Sequence, residues 1–394
     1  MLKDIIYKKA DEYFNDVVEI RRHLHMYPEL SFHENETADF VAKKLTALNI
    51  PFKSGVAGTG IVALIEGNKK GKTVALRADM DALPITEQNE VVYKSKNVGV
   101  MHACGHDVHT SSLLGVASIL NSVKDQFAGT VKLIFQPAEE KLPGGASLMI
   151  EQGVLKNPEP DAVFGQHVMP LIETGKVGFR SGIYMASTDE LYVTVKGKGG
   201  HGAMPHLNID PVLITSHMIV ALQQIVSRNA NPTMPSVLSF GKVIANGATN
   251  VIPNEVYLEG TFRTLDEQWR TEAHTRIKTL AEELCKSMGG SCEFNIKRGY
   301  PVLYNNEQLT ARAKQHAIEY LGKENVVDLE IWMAAEDFAF YTLHKPSCFY
   351  RLGTRNEKRG ITSSVHTPTF DIDEQALKTG MGLMSWMALK ELAD

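Results

Sequence analysis

Apolar and polar positions first follow a helical rhythm. Leu2, Ile5, Ile6, Tyr13, Phe14, Val17, Val18 and Leu24 recur near every third or fourth residue. That spacing predicts an amphipathic helix over the first thirty residues, stopped by Pro28. A second helix is predicted over about 36–48. Short apolar runs then take over: GIVALI at 60–65, TVALR at 73–77, TVKLIF at 130–135 and DAVFGQH at 161–167. They are rich in β-forming residues and apolar at odd and even positions alike, as in strands covered on both faces. Helical stretches near 109–123 and 145–152 separate several of them. Strands alternating with helices predict an α/β layer.

After Gly182 the rhythm changes. ELYVTV at 190–195 alternates apolar with polar, the pattern of a half-buried strand. An apolar-striped helix is predicted at 210–228, alternating strands at 236–243 and 255–263, a helix at 266–288 and a closing strand at 292–297. Asp266 is placed to cap the second helix and Gly289-Gly290 to stop it. The order β-α-β-β-α-β is the split, ferredoxin-like arrangement. Beyond Gly299 helices and strands alternate again, ending in a helix at about 374–392. The predicted architecture is an α/β domain at 1–185 and 298–394, interrupted by an inserted α+β domain at 186–297.

Composition narrows the class. The 394 residues are 43% hydrophobic and 22% charged, enough to bury real cores in two or three domains. Acidic residues outnumber basic ones, 46 to 41, which disfavours a nucleic-acid binder. No apolar run reaches the roughly 18 residues of a membrane span, and the charged N-terminus lacks the apolar core of a signal peptide. Four cysteines make no disulfide framework in a chain this long. A cytoplasmic protein with reduced thiols is expected.

Candidate chemistry gathers where strands end. TVALR runs into Asp79-Met80-Asp81, TVKLIF into Glu139-Glu140, and DAVFGQ into His167. In α/β sheets ligands bind beyond the carboxyl ends of strands, so these residues point to one shared site. The segment Met101–His109 holds three histidines and a cysteine. Cys104 and His106, two apart around Gly105, can face one metal ion, and thiolate and imidazole suit zinc-like metals. His102 and His109 are expected to be supporting or structural. Of the paired acids, one can bind metal while the other moves a proton. His366 stands alone in a polar loop and carries little signal by itself. The same holds for His201 in a Gly-rich turn, for Asn250, and for Arg263 in a strand.

The motifs together resemble those of a known family. RRHLHMYPELSF, LRADMDALP, MHACGHDVH, QPAEE, GQHV, GKGGHGAMPH, TNVIPN, GTFRT, AAEDFAFY and SVHTPTF occur along nearly the whole chain. They resemble the dinuclear metal amidohydrolases related to aminoacylase and the carboxypeptidase-like metallopeptidases. The branch is that of N-acyl-amino-acid amidohydrolases, hippurate hydrolases and auxin-conjugate hydrolases. The resemblance implies a metallopeptidase-like catalytic domain with a covered mixed sheet and an inserted dimerisation, or lid, domain. It implies two divalent metal ions per subunit, zinc or manganese, held by Cys104, His106, Glu140, His167 and His366. Glu139 matches the general base and Asp81 an acid that orients a ligand. His201 matches a residue that holds the scissile carbonyl, often in the partner subunit's site. Asn250 and Arg263 match positions suited to a substrate carboxylate. More distant relatives carry a metal-binding histidine where this chain has Asp79. The implied reaction is hydrolysis of N-acyl amino acids by a homodimer, with no nucleic acid or membrane involved. A dipeptidase or carboxypeptidase, an amidase using Cys104 as nucleophile, a structural metal site and a non-catalytic binding protein are the competing possibilities.

Overall fold

A computed structural model describes residues 2–393. The chain forms two compact units. The second comprises Met185–Leu303 and Trp332–Glu336, and the first takes the remaining described residues. The short segment Trp332–Glu336 falls outside the insertion expected at 186–297. Its backbone explains the difference: Ala186 N–H donates to the Trp332 and Ala334 carbonyls at 3.2 and 3.0 Å. The residues just past 297 are drawn in likewise, with Thr188 N–H donating to the Tyr300 carbonyl at 3.0 Å.

The first unit is built on an eight-stranded mixed sheet. Its strands are β1 (Phe52–Val56), β2 (Gly60–Glu66), β3 (Thr73–Asp79), β4 (Thr130–Gln136), β5 (Ala162–Glu173), β6 (Val177–Phe179), β7 (Val326–Asp328) and β8 (Ser347–Arg355). They lie in the order β1-β2-β4-β3-β5-β8-β6-β7. The centre is parallel: β3 pairs with β4 and β5, and β5 with β8. Register puts Asp79 beside Gln136 and His167 beside Arg351. Every residue of β3 is buried, as its two-faced apolar run requires. The strand β1 was not expected, because FKSGV is largely exposed and shows no alternation.

Helices cover this sheet. His106–Ser122 is buried along most of its length. At Gly115 a Cβ would sit 2.7 Å from Met381 Sδ and 2.9 Å from Val17 Cγ2, so glycine permits the approach of two neighbouring helices. The expected N-terminal helix is two helices, Leu2–Glu12 and Phe14–Met26, divided at Tyr13. Each fully buried Leu, Ile or Phe of this core contributes about 1.5–3 kcal/mol.

The second unit has a four-stranded antiparallel sheet of Asp189–Lys196, Ser236–Ile244, Glu255–Thr264 and Ser291–Arg298. Ser236–Ile244 and Ser291–Arg298 are its edges. Leu191, Val193, Val195, Leu258 and Phe294 meet Ile214, Met218, Ile277 and Ala281 of the helices Pro211–Gln224 and Glu267–Ser287. Asp266 caps the second helix through its carboxylate, which accepts from Trp269 N–H at 2.6 Å. Strand order and element order give the expected ferredoxin-like arrangement.

Candidate metal centre

Ligand-type side chains of the first unit come from strand ends and from tightly turned loops. His106 opens its helix directly after Gly105, whose φ is +80°. A Cβ there would lie 2.6 Å from Val168 Cγ2, so only glycine fits. Two other loops use non-glycine residues in left-handed conformations: Ala138 at φ +51° and His366 at φ +61°. Such conformations cost of order 1–3 kcal/mol each and need surrounding structure to hold them. Ala138 N–H donates to Glu34 Oε1 at 2.8 Å, and His366 N–H to the Ala103 carbonyl at 2.7 Å.

The donor atoms gather around Cys104. In one group the ligand atoms of Cys104, His106 and His167 lie within 4.8 Å of one another, and in a second those of Cys104, Glu140 and His366 do. A third joins His106, Glu139 and Glu140. The Cys104 sulfur lies 3.4 Å from His167 Nε2 and 3.3 Å from His366 Nε2. His366 Nε2 is also 3.2 Å from Glu140 Oε1. Carbonyl oxygens fix the tautomers of two imidazoles. His106 Nδ1 donates to the Asp81 carbonyl and His167 Nδ1 to the Val168 carbonyl, both at 2.8 Å. Each ring then offers the lone pair of Nε2.

One of these atoms, His106 Nε2, is buried without a hydrogen-bond partner. An unsatisfied buried polar atom costs about 1–3 kcal/mol. A cation would satisfy it. One thiolate, three imidazoles and a carboxylate are a donor set for zinc-like divalent ions, and Cys104 is common to both groups. The residues therefore fit a pair of metal ions.

Without a cation, the electrostatics favour protons on Cys104 and His106. Burial, with Glu140 and Glu139 close by, pushes the Cys104 thiol well above its usual pKa. Burial opposes charge on His106, yet Asp79, Asp81 and Glu140 push its pKa up to about 10. Burial, aided by Arg351 and His109, holds His167 well below its usual value and so neutral. Bound cations invert this balance by favouring thiolate and neutral imidazole.

Supporting groups lock the donors. The Asp81 carboxylate accepts from Ser31 Oγ at 2.6 Å and from the backbone N–H of Glu139 and of Glu140 at 3.0 Å each. Its Oδ1 is 3.2 Å from His106 Nδ1. His109 is fully engaged: Nδ1 donates to Asp79 at 2.5 Å, and Nε2 accepts from Val168 N–H at 2.9 Å. With no lone pair to spare, it braces the peptide that orients His167. Asp79 also takes an Arg77 hydrogen bond at 2.5 Å, and Arg77 reaches Asp337 at 2.6 Å. Asp107 accepts from Arg21 at 2.8 Å and lies 2.8 Å from His25 Nδ1. Sequence reasoning assigned no role to Glu34, Arg77, Asp337, Arg21, His25 or Asp107. For all but Glu34, which lies outside the motifs, the available signal was a charged residue inside a motif that otherwise packs as core.

The second unit holds His201, Asn250 and Arg263. His201 is exposed, and its Nδ1 accepts from Ala203 N–H at 3.1 Å. The ladder pairing His201 with Val251 puts the Gly-rich turn beside Asn250, whose carbonyl accepts from Gly202 N–H at 2.9 Å. Arg263 is half-buried and donates to the Met333 carbonyl at 3.2 Å. Among the described residues no helix is long and apolar enough to cross a membrane.

Residues 75–390 match the model of peptidase family M20/M25/M40. The chain is 42% identical to the N-acetyl-L-cysteine deacetylase of Bacillus subtilis, over 92% of this chain and 84% of that protein. It is 40% identical to thermostable carboxypeptidase 2 of Saccharolobus solfataricus, over 95% of each. Among solved structures it resembles a dinuclear metal binding peptidase of the M20 family from Bacillus subtilis. The TM-score is 0.83 and the identity 34%, over 97% of this chain and 99% of that one.

Proposed function

The chain belongs to peptidase family M20/M25/M40 and is a metal-binding hydrolase of amide bonds, and from that premise we propose that it cleaves N-acyl amino acids to a carboxylic acid and a free amino acid. The observation that carries this proposal is the Cys104-centred donor set with two neighbouring acids, Glu139 and Glu140, and a buried His106 Nε2 that has no hydrogen-bond partner. Similarity to a deacetylase of an N-acyl amino acid supports the substrate class.

In this proposal Cys104, His106, Glu140, His167 and His366 hold two divalent ions. A thiolate ligand would favour zinc, while carboxylate and imidazole would also accept manganese. The ions supply Lewis acidity that polarises the amide carbonyl and acidifies water. Glu139 takes the proton of the attacking water and delivers it to the departing amine nitrogen. His201 donates to the tetrahedral oxyanion, a contact whose loss typically costs about 10²–10³-fold in rate. Arg263 grips the substrate carboxylate with two parallel hydrogen bonds, and Asn250 fixes the same end. Asp81 orients His106 and holds the backbone that carries both acids.

We also propose a homodimer through the inserted unit. Its support is an apolar surface no core explains: Leu213 and Val220 on the outer face of Pro211–Gln224, and Val243 on the edge strand, are 51%, 73% and 50% exposed. Apolar side chains left exposed on one unit are candidates for such an interface. A reducing, cytoplasmic setting suits the four free thiols.

Similarity to a carboxypeptidase favours a second possibility, removal of a C-terminal amino acid from a peptide. One experiment separates the two. Chelated protein is assayed on acetyl, benzoyl and indole-acetyl amino acids and on dipeptides, then again after Zn²⁺ or Mn²⁺ is restored. The proposal expects metal-dependent cleavage of acylated amino acids above that of dipeptides. Cleavage that survives chelation and stops on alkylation would shift the assignment to Cys104 as nucleophile.

A further inference from the structure

We infer that Glu34 is a positioning residue: it sets the loop 137–140 that aims Glu139 and Glu140. The inference deepens the proposed function, since the importance of that loop rests on it.

Glu34 lies 104 residues before Ala138 and is fully buried. It stands at the N-cap position of the helix Asn35–Ala47, yet its side chain makes no capping hydrogen bond. The carboxylate is turned elsewhere. Oε1 accepts from the N–H of Ala138 at 2.8 Å and from that of Phe32 at 2.9 Å, while Oε2 accepts from Thr59 Oγ1 at 2.7 Å. Phe32, at φ +69°, and Ala138 are both left-handed non-glycine residues. One carboxylate oxygen therefore ties together two backbone turns that are unfavourable in isolation.

The loop is pinned from the other side as well. Gly145 N–H donates to the Ala138 carbonyl at 2.9 Å. Three successive N–H groups, of Ala138, Glu139 and Glu140, donate to the two buried carboxylates of Glu34 and Asp81. Successive amides converging on anions form a rigid concavity. The like charges of Glu34 and Asp81 lie close in a desolvated place, and burial together with Asp81 raises the pKa of Glu34. A carboxylate kept there at that cost, and withheld from its own helix, acts through the loop it holds.

Two variants test this in the full chain: Glu34→Ala and Glu34→Gln. The glutamine keeps an oxygen that can accept from Ala138 and Phe32, and its amide can donate to the Thr59 hydroxyl. Each protein is stripped with chelator and titrated with Zn²⁺ against a chromogenic chelator. Melting temperature, kcat and KM are measured on the reloaded protein. Loss of a residue supporting a metal site typically costs about 10–100-fold in metal affinity or activity. Glu34→Ala is expected to lose about that much affinity for the weaker-held ion and a similar factor in kcat, with KM within about twofold. Glu34→Gln is expected to recover most of both. Wild-type affinity and kcat in a folded Glu34→Ala protein would overturn the inference. So would a Glu34→Gln protein as impaired as Glu34→Ala, which would make the charge rather than the hydrogen bonds the cause. If Glu34→Ala does not fold, a tenfold or larger affinity loss in Glu34→Gln with unchanged melting overturns it equally. Metal affinity is read without substrate, so a failure of the proposed amidohydrolase function leaves this test standing.

Discussion

Cys104 presents its sulfur to two imidazole nitrogens while carboxylates crowd the same space. Without a cation the thiol keeps its proton and His106 gains one, and that sets a pH dependence with a definite sign. His106 has a folded pKa of about 10 against about 6.5 in the unfolded chain. Its contribution is fully present below pH 6.5 and is lost as pH rises towards 10. The Cys104 thiol, pushed up in the folded state, works in the same direction above about pH 8.5, where the unfolded thiol ionises. The melting temperature of chelated protein should therefore fall between about pH 6.5 and 9.5. Zinc replaces both protons, so the loaded protein should lose this slope. Equal slopes with and without metal would remove the two residues from the site. The Cys104–His106 spacing and the Glu139–Glu140 pair were legible because neighbours in sequence are neighbours in the site. His366 was not legible from its own loop. It comes to Cys104 through a left-handed turn and a hydrogen bond to Ala103, and neither has a local sequence signature. Glu34 was hidden for the same reason, since its partners lie on three separate segments.

At the scale of elements, the buried strands were the most legible feature. Two-faced apolar runs such as TVALR and TVKLIF have few other places to go than the middle of a covered sheet. The edge strand β1 was invisible because its side chains are mostly in solvent. The helix Pro211–Gln224 is apolar well beyond the face it buries. Ile214, Met218 and Leu222 meet the unit's own core, while Leu213 and Val220 face outward. This surplus is the surface that the proposed homodimer would cover. Leu213→Glu with Val220→Glu should convert a dimer to a monomer in sedimentation equilibrium at micromolar protein. The unit's melting should stay nearly unchanged, because neither side chain belongs to its core. A monomeric wild-type protein, or a variant that remains dimeric, would refute the proposed interface.

For the whole molecule, the alternation of patterns along the chain made two architectures legible, one interrupting the other. Their boundaries were less so. The strip Trp332–Glu336 joins the second unit through backbone hydrogen bonds to Ala186, a long-range pairing that no pattern around 332–336 encodes. Function followed from the joint occurrence of motifs spread over nearly the whole chain, where each motif alone was ambiguous. We propose metal-assisted amide hydrolysis in which Glu139 moves the proton. Its most direct test is to compare wild-type and Glu139→Ala protein, both reloaded with zinc and both counted for bound metal, on an N-acetyl amino acid. A positioned general base contributes typically about 10²–10⁴-fold. The expected result is a loss of that size in kcat with metal content and melting temperature unchanged. Turnover within a few-fold of wild type at equal metal content would rule Glu139 out as the base.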